Sequence, residues 1–283
     1  MELMELGPLQ KLVRLLVLAC GLLFTLIPVF WVLSIAFRPP GALTFPVRLV
    51  PPGLTLVNFS NILFSARGIG ITPYLNAAIY GLSSAFLTAL VSLLAGYALA
   101  RYNLRFGKLL LLVFLALNFL QAAARLVPLF LLFARSGLYD SQVGLVLAYV
   151  AGATPLGIWL MAASIRQIPI RLEQAARIDG AGTLTIARRV VLPLAMPGVL
   201  VVATLAFVDG WNSFSLPLIL MQRPEAQPYT VALQKFVLPS EGGLNWMMLA
   251  AGSLLGIIPV LVAFALLQSR LVGSADIGGA VKG

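Results

Sequence analysis

Few residues in this chain could do chemistry, because 60% of it is hydrophobic and only 10% is charged. Asn118, Gln121 and Arg125 recur at i, i+3 and i+7, which is one face of a helix. Asp209, Trp211 and Asn212 cluster just before Pro217, where a kink is expected. Ionisable groups in hydrocarbon are costly and usually face a cavity, so both sets are candidate lining of a polar path through a membrane. Their amides, carboxylate and guanidinium can bond hydroxyls, and the indole offers a flat face for a ring, as a sugar site requires. Other uses stay open. Asn118 and Gln121 serve equally well as hydrogen-bonding glue between helices. Arg125 could pair with Asp209 or with a partner subunit, and Trp211 could be an interfacial anchor.

A second set sits in a polar, arginine-bearing island, Pro169–Pro197. Pro169 suits the start of a helix, where its missing N–H costs nothing. Good helix formers follow to Ile178, with Glu173 placed four residues before Arg177 for an ion pair. Asp179-Gly180 ends that helix, Gly180 taking the left-handed cap. Thr183 is the expected N-cap of a second short helix, Leu184–Val191, closed by Pro193. Ala175 and Ala176 leave one face almost bare, so another backbone can approach closely.

What is missing narrows the chemistry. The chain has no histidine and a single cysteine, Cys20, which removes the commonest general base and any cysteine metal site. No G-x-x-x-x-G-K-[ST] sequence is present, so the chain cannot cradle ATP phosphates. No serine lies in a nucleophile-elbow pattern. Catalysis has no residues to rest on, and no metal site is expected.

The elements that must position these residues are membrane helices. Mean hydropathy is +1.01, far from the balance of a water-soluble domain. Spans are predicted at about 15–37, 74–100, 109–133 (broken near Pro128), 143–164 (with Pro155 inside), 197–220 and 246–267, in one all-α domain over 1–283. A Pro-rich loop with short helical pieces near Leu56–Phe64 joins the first two. VLAC at Val17–Cys20 faintly resembles a lipoprotein cleavage site, but the apolar run before it is short and continues to Phe37, so an uncleaved span is expected. The formal charge of +10 is scattered between apolar runs, which argues for membrane topology and against nucleic acid. Of the 19 Lys and Arg residues, 12 fall in the N-terminal segment, 101–108, 166–193 and the tail. The positive-inside rule makes that side, with both termini, cytoplasmic.

The island also carries a family resemblance. EQAARIDGAG followed by VVLPLAMP resembles the EAA loop of ABC-importer permeases, the cytoplasmic coupling helix that docks into a groove of the ATP-hydrolysing subunit. Its contact residues would be Arg171, Glu173, Gln174, Ala175, Ala176, Asp179, Gly180 and Ala181. The acidic residue of the motif falls on Gln174, so either Glu173 takes over the ionic contact or docking uses a neutral hydrogen bond. YLNAAI at Tyr74–Ile79, AGYALAR at Ala95–Arg101, FVDGWNSF at Phe207–Phe214 and GGAVKG at Gly278–Gly283 are similar to segments of the carbohydrate branch, notably the second permease of maltose-type systems. The tail departs in lacking an aromatic after its arginine. The resemblance covers about Leu15 to Gly283 and adds Asn76 to the substrate pathway of Asn118, Gln121, Arg125, Asp209, Trp211 and Asn212.

That resemblance implies the six-helix type I permease fold in a bacterial or archaeal cytoplasmic membrane. Its implied partners are a homologous permease, two ATPase subunits, an extracytoplasmic solute-binding protein, a sugar and membrane lipid. ATP and Mg would be bound by the ATPase, with no cofactor in this chain. Two other readings stay open. One is a permease for an anionic polyol such as glycerol phosphate, which would use Arg125. The other is a secondary transporter or membrane scaffold with no ATPase.

Overall fold

The structure, a computed structural model, describes residues 8–42, 50–102, 104, 106–118, 122–237 and 245–279. Every regular element among them is helical. In chain order these are α1 (Pro8–Ala36), α2 (Val57–Phe64), α3 (Thr72–Arg101), α4 (Gly107–Asn118), α5 (Ala122–Arg135) and α6 (Gln142–Arg166). There follow α7 (Ile170–Ile178), α8 (Thr183–Ile186), a π-helical turn (Ala187–Val191), α9 (Leu192–Asn212), α10 (Ser215–Leu220), α11 (Tyr229–Ala232) and α12 (Trp246–Gly279).

Among the described residues, five stretches are long and apolar enough to cross a membrane: Lys11–Ala36, Thr72–Arg101, Gln142–Arg166, Thr183–Asn212 and Trp246–Gln268. Four of these match expected spans. Within the third expected span the described residues form α4 and α5, of 12 and 14 residues, on either side of 119–121, which lie outside the described residues. Pro128 lies inside α5.

The fifth span also departs from expectation. Pro193 does not close a short helix; it lies in the first turn of α9, where no N–H is missed. The π turn before it widens the helix, and the Leu192 N–H bonds back to the Ala187 carbonyl. α9 then ends at Asn212, with Ser213 extended (φ −62, ψ 130), before α10 carries Pro217.

By internal packing the chain divides into two compact units. One comprises the described residues to Gly70 with Leu233–Ile257. In it the end of α1 (Ile35, Ala36) meets Ala250 and Ala251 of α12, and the Asn58 amide donates to the Ala36 and Arg38 carbonyls at 2.8 and 2.7 Å.

The other unit comprises Ile71–Ala232 with the described residues from Ile258, and holds both candidate sites. Its core is α3 against α6 and α9. The buried stripe of α3 is made of small residues, Ala77, Gly81, Ser84, Ala85, Thr88, Ala89, Ser92 and Gly96. In lipid there is no hydrophobic drive between helices, so close backbone approach supplies the contact, and small residues allow it. A Cβ on Gly96 would lie 2.8 Å from the Met161 Cβ of α6. Outward-facing residues of the same helix, such as Leu82, Phe86 and Leu94, are large and apolar.

Candidate functional site

The loop between α6 and α9 is built by local rules. Pro169 (φ −59) caps the start of α7. At the other end Gly180 has φ +83, with Gly180 N–H bonded to the Arg177 carbonyl at 3.0 Å and Ala181 N–H to the Ala176 carbonyl at 2.9 Å. That pair of bonds is a Schellman cap. The second helix is capped at Gly182, one residue before the expected Thr183.

α7 has two faces. Arg171, Gln174, Ala175, Ile178 and Asp179 are exposed, as is Gly180 in the cap. Ile178 and Leu184 are 87% and 82% exposed, making an apolar surface on a loop otherwise rich in arginine. Ala176 and Ala181 instead pack against the inner cluster of Ile165, Ile168, Ile186 and Val191. Both are half-buried and support the loop from behind.

Glu173 also turns inward. The Arg101 Nε of α3 donates to Glu173 Oε1 at 2.6 Å, with the two side chains 10% and 2% exposed. The Tyr97 hydroxyl donates to Oε2 at 3.0 Å, and Arg101 Nη2 donates to the Ile168 carbonyl at 2.9 Å. The carboxylate is therefore neither paired with Arg177 in the i,i+4 geometry nor free for a second protein. A carboxylate on the inner face of a short helix is held by the nearest buried cation. The exposed position of the motif is Gln174.

A cavity of about 710 Å3 lies within the same unit, between α3, α6, α9 and the start of α10, and is also lined by α4 and α5. Its walls are mostly apolar. The polar groups facing it are Thr88, Tyr149, Asp209, Ser213 and Ser215, and Asp209 is the one charged lining residue among the described residues. Thr88 Oγ1 is buried without a hydrogen-bond partner, and the Tyr149 hydroxyl, close to Ser213, makes no hydrogen bond of ordinary geometry. Phe214 supplies an aromatic face and is 41% exposed.

The expected pathway residues are only partly gathered here. Asp209 lines the cavity. Trp211 does not: it is 2% exposed, its ring between Phe207 (5.8 Å between centroids) and Tyr229 (5.0 Å), which stacks in turn on Tyr74 (5.1 Å). A buried indole in such a column fixes α9 and α11 and offers no free ring face. Asn212 donates to the Val208 carbonyl and accepts the Tyr229 hydroxyl, so both ends of its amide are engaged. Asn76 donates to the Glu225 and Gln227 carbonyls at 2.7 and 3.2 Å and pins that loop to α3. Gln121 lies outside the described residues, as do the side chains of Asn118 and Arg125.

The residues missed were Thr88, Tyr149 and Phe214 in the cavity, and Tyr97 and Arg101 behind the loop. Both of the latter lie in AGYALAR. That motif was visible, but nothing in one sequence says that its Arg reaches a carboxylate 72 positions later.

A model of the family described as "Binding-protein-dependent transport system inner membrane component" matches residues 91–272. The chain belongs to that family. It is 32% identical over 255 residues to the sulfoquinovosyl glycerol transport system permease protein SmoH of Agrobacterium fabrum, which is 90% of this chain and 88% of that one. It is 32% identical over 261 residues to the trehalose transport system permease protein SugB of Mycobacterium tuberculosis, 92% and 93% of the two chains. Its fold matches a chain from the crystal structure of a bacterial ABC transporter involved in the import of the acidic polysaccharide alginate, with a TM-score of 0.79 at 22% identity over 92% of this chain and 95% of that one. This permease is thus a multi-pass, all-α transport subunit of ABC-importer type and not an enzyme.

Proposed function

We propose that this permease forms part of the translocation pathway for a neutral sugar or oligosaccharide handed over by an extracytoplasmic solute-binding protein. The observation that carries the substrate class is the cavity: unpartnered buried hydroxyls of Thr88 and Tyr149, one carboxylate and the exposed Phe214 ring, in an otherwise apolar wall. Hydroxyl-rich rings need hydrogen-bonding groups and a flat apolar face, and about 710 Å3 is within the size of small-molecule sites. The kinship with the trehalose permease supports the same class.

Energy enters through the loop. The exposed face of Arg171, Gln174, Ala175, Ile178 and Asp179 is read as the contact for a separate ATPase subunit, which binds ATP and Mg. A homologous permease completes the pathway, and two ATPase copies complete the complex. The arginine-rich loop and both termini face the cytoplasm of a bacterial or archaeal cell.

The test is uptake into proteoliposomes holding the reconstituted complex, with labelled trehalose or maltose and glycerol 3-phosphate as competitor. Neutral sugar enters and the phosphorylated polyol competes weakly. Asp209→Asn removes a charge-assisted contact of about 1.5–3 kcal/mol, roughly ten- to a hundredfold in affinity for the sugar. Preferential uptake of glycerol 3-phosphate by the wild type would overturn the neutral-sugar reading.

A further inference from the structure

We propose that Arg101 and Glu173, with Tyr97, form the joint through which the α7 loop moves α3, and that this joint stays closed throughout the transport cycle. The proposal rests on the reading of α7 as the ATPase contact. α6 runs into α7 through residues 167–169, and α7 leads through α8 and the π turn into α9, so both are tied to the loop by the chain itself. α3 packs against α6 and α9 but has no such connection. Its link to the loop is Arg101, whose guanidinium bonds the Glu173 carboxylate on α7 and the Ile168 carbonyl where α6 ends. One side chain thus grips both sides of the corner between α6 and α7, and Tyr97 holds the second carboxylate oxygen.

The neighbouring apolar residues, such as Tyr97, Ala100 and Ala176, pack on one buried cluster through non-directional contacts that allow sliding. Directional bonds to a carboxylate with almost no water access hold α3 in register. α3 also carries Thr88 to the cavity wall, about 20 Å further along the same rigid helix. A displacement of α7 would therefore reach the cavity on the α3 side as well as through α6 and α9. Among the described ion pairs this is the buried one; the other, Arg223 with Asp140, has side chains 58% and 24% exposed.

Arg101 and Glu173 are positioning residues in this account, so their test must separate coupling from folding. The complex is purified with its ATPase subunits and reconstituted, and hydrolysis is measured with and without trehalose- or maltose-loaded binding protein. Glu173→Gln and Arg101→Lys keep shape and most packing, and the ATPase subunits remain bound in both. The ratio of stimulated to unstimulated hydrolysis falls by about tenfold, within the 5–150-fold range of couplings between sites. Tyr97→Phe lowers the ratio less, and exchanging the charges (Arg101→Glu with Glu173→Arg) recovers part of it. Full stimulation in both Glu173→Gln and Arg101→Lys, whatever their melting temperatures, would overturn the proposal. So would loss of the ATPase from Glu173→Gln, which would make that carboxylate a docking contact. A wild-type complex without any stimulation would instead defeat the loop reading, and the joint with it.

Discussion

Gly180 shows how narrow a residue's requirement can be. A Cβ there would meet nothing within 4 Å, so its need for glycine comes from φ +83 alone. Gly180→Val should cost about 1–2 kcal/mol through the left-handed backbone and unwind the Schellman cap, while Gly180→Asn should cost less. Thermal unfolding of the purified complex compares the two, and equal melting temperatures would contradict the cap's role. Ala175 is the opposite case: exposed, small, and free to be enlarged without disturbing this chain. Ala175→Trp should leave the melting temperature unchanged and abolish ATPase binding, whereas Ala176→Trp should destabilise the fold by about 1–3 kcal/mol by overpacking.

Asp140 is a third residue with a sharp requirement, in the loop before α6. It has φ +52, and its carboxylate accepts the Gln222 and Arg223 N–H groups at 2.9 and 3.2 Å and the Arg223 Nε at 3.0 Å. Partial loss of hydration opposes ionisation, but the N–H groups of Arg223 and Gln222 and the guanidinium prevail and hold the carboxyl below its ordinary value. Because the folded value is the lower one, the clamp's contribution is present above the ordinary carboxylate range and is lost as pH falls through Asp140's own value. Asp140→Asn should therefore flatten the acid limb of a melting-temperature profile and leave its neutral limb parallel to wild type. An unchanged acid limb would refute this.

At the scale of elements, the helices of the second unit are joined by small-residue contacts and the buried Arg101–Glu173 pair. Removing one partner of such a pair leaves an uncompensated charge, so Arg101→Ala should cost about 3–5 kcal/mol. Gly96→Ala should cost about 1–3 kcal/mol, since the Met161 Cβ it would press on is not a flexible chain end. Chemical unfolding in detergent checks both, and a neutral Gly96→Ala would mean that α3 and α6 have room to spare.

Much of this level was legible in the sequence, for physical reasons. Long apolar runs have one outcome in lipid, so α1, α3, α6 and α12 fall where hydropathy puts them, and Asp179-Gly180 ends α7 as its chemistry demands. What could not be read depends on the third dimension. Pro193 looks like a terminator, yet a π turn places it harmlessly in the first turn of α9. Trp211 and Asn76 look like ligands, yet one is sealed in an aromatic column and the other holds a loop. Glu173 looked available because the sequence shows Arg177 four residues away and does not show Arg101 beside it.

At the scale of the whole molecule, the proposed function makes the cavity, the loop and the membrane helices one machine driven from outside the chain. Moving an inward–outward equilibrium from 1:99 to 99:1 takes about 5.5 kcal/mol of differential binding. On the proposed reading of α7 as the ATPase contact, that difference acts through its exposed face and Leu184. The most direct test is ATP-dependent uptake of labelled trehalose or maltose into proteoliposomes, comparing wild type with Ala175→Trp. The wild type should accumulate sugar only with ATP at the loop side and binding protein at the other. Ala175→Trp should insert and melt normally yet accumulate none. Uptake without ATP, or undiminished uptake by Ala175→Trp, would contradict the account.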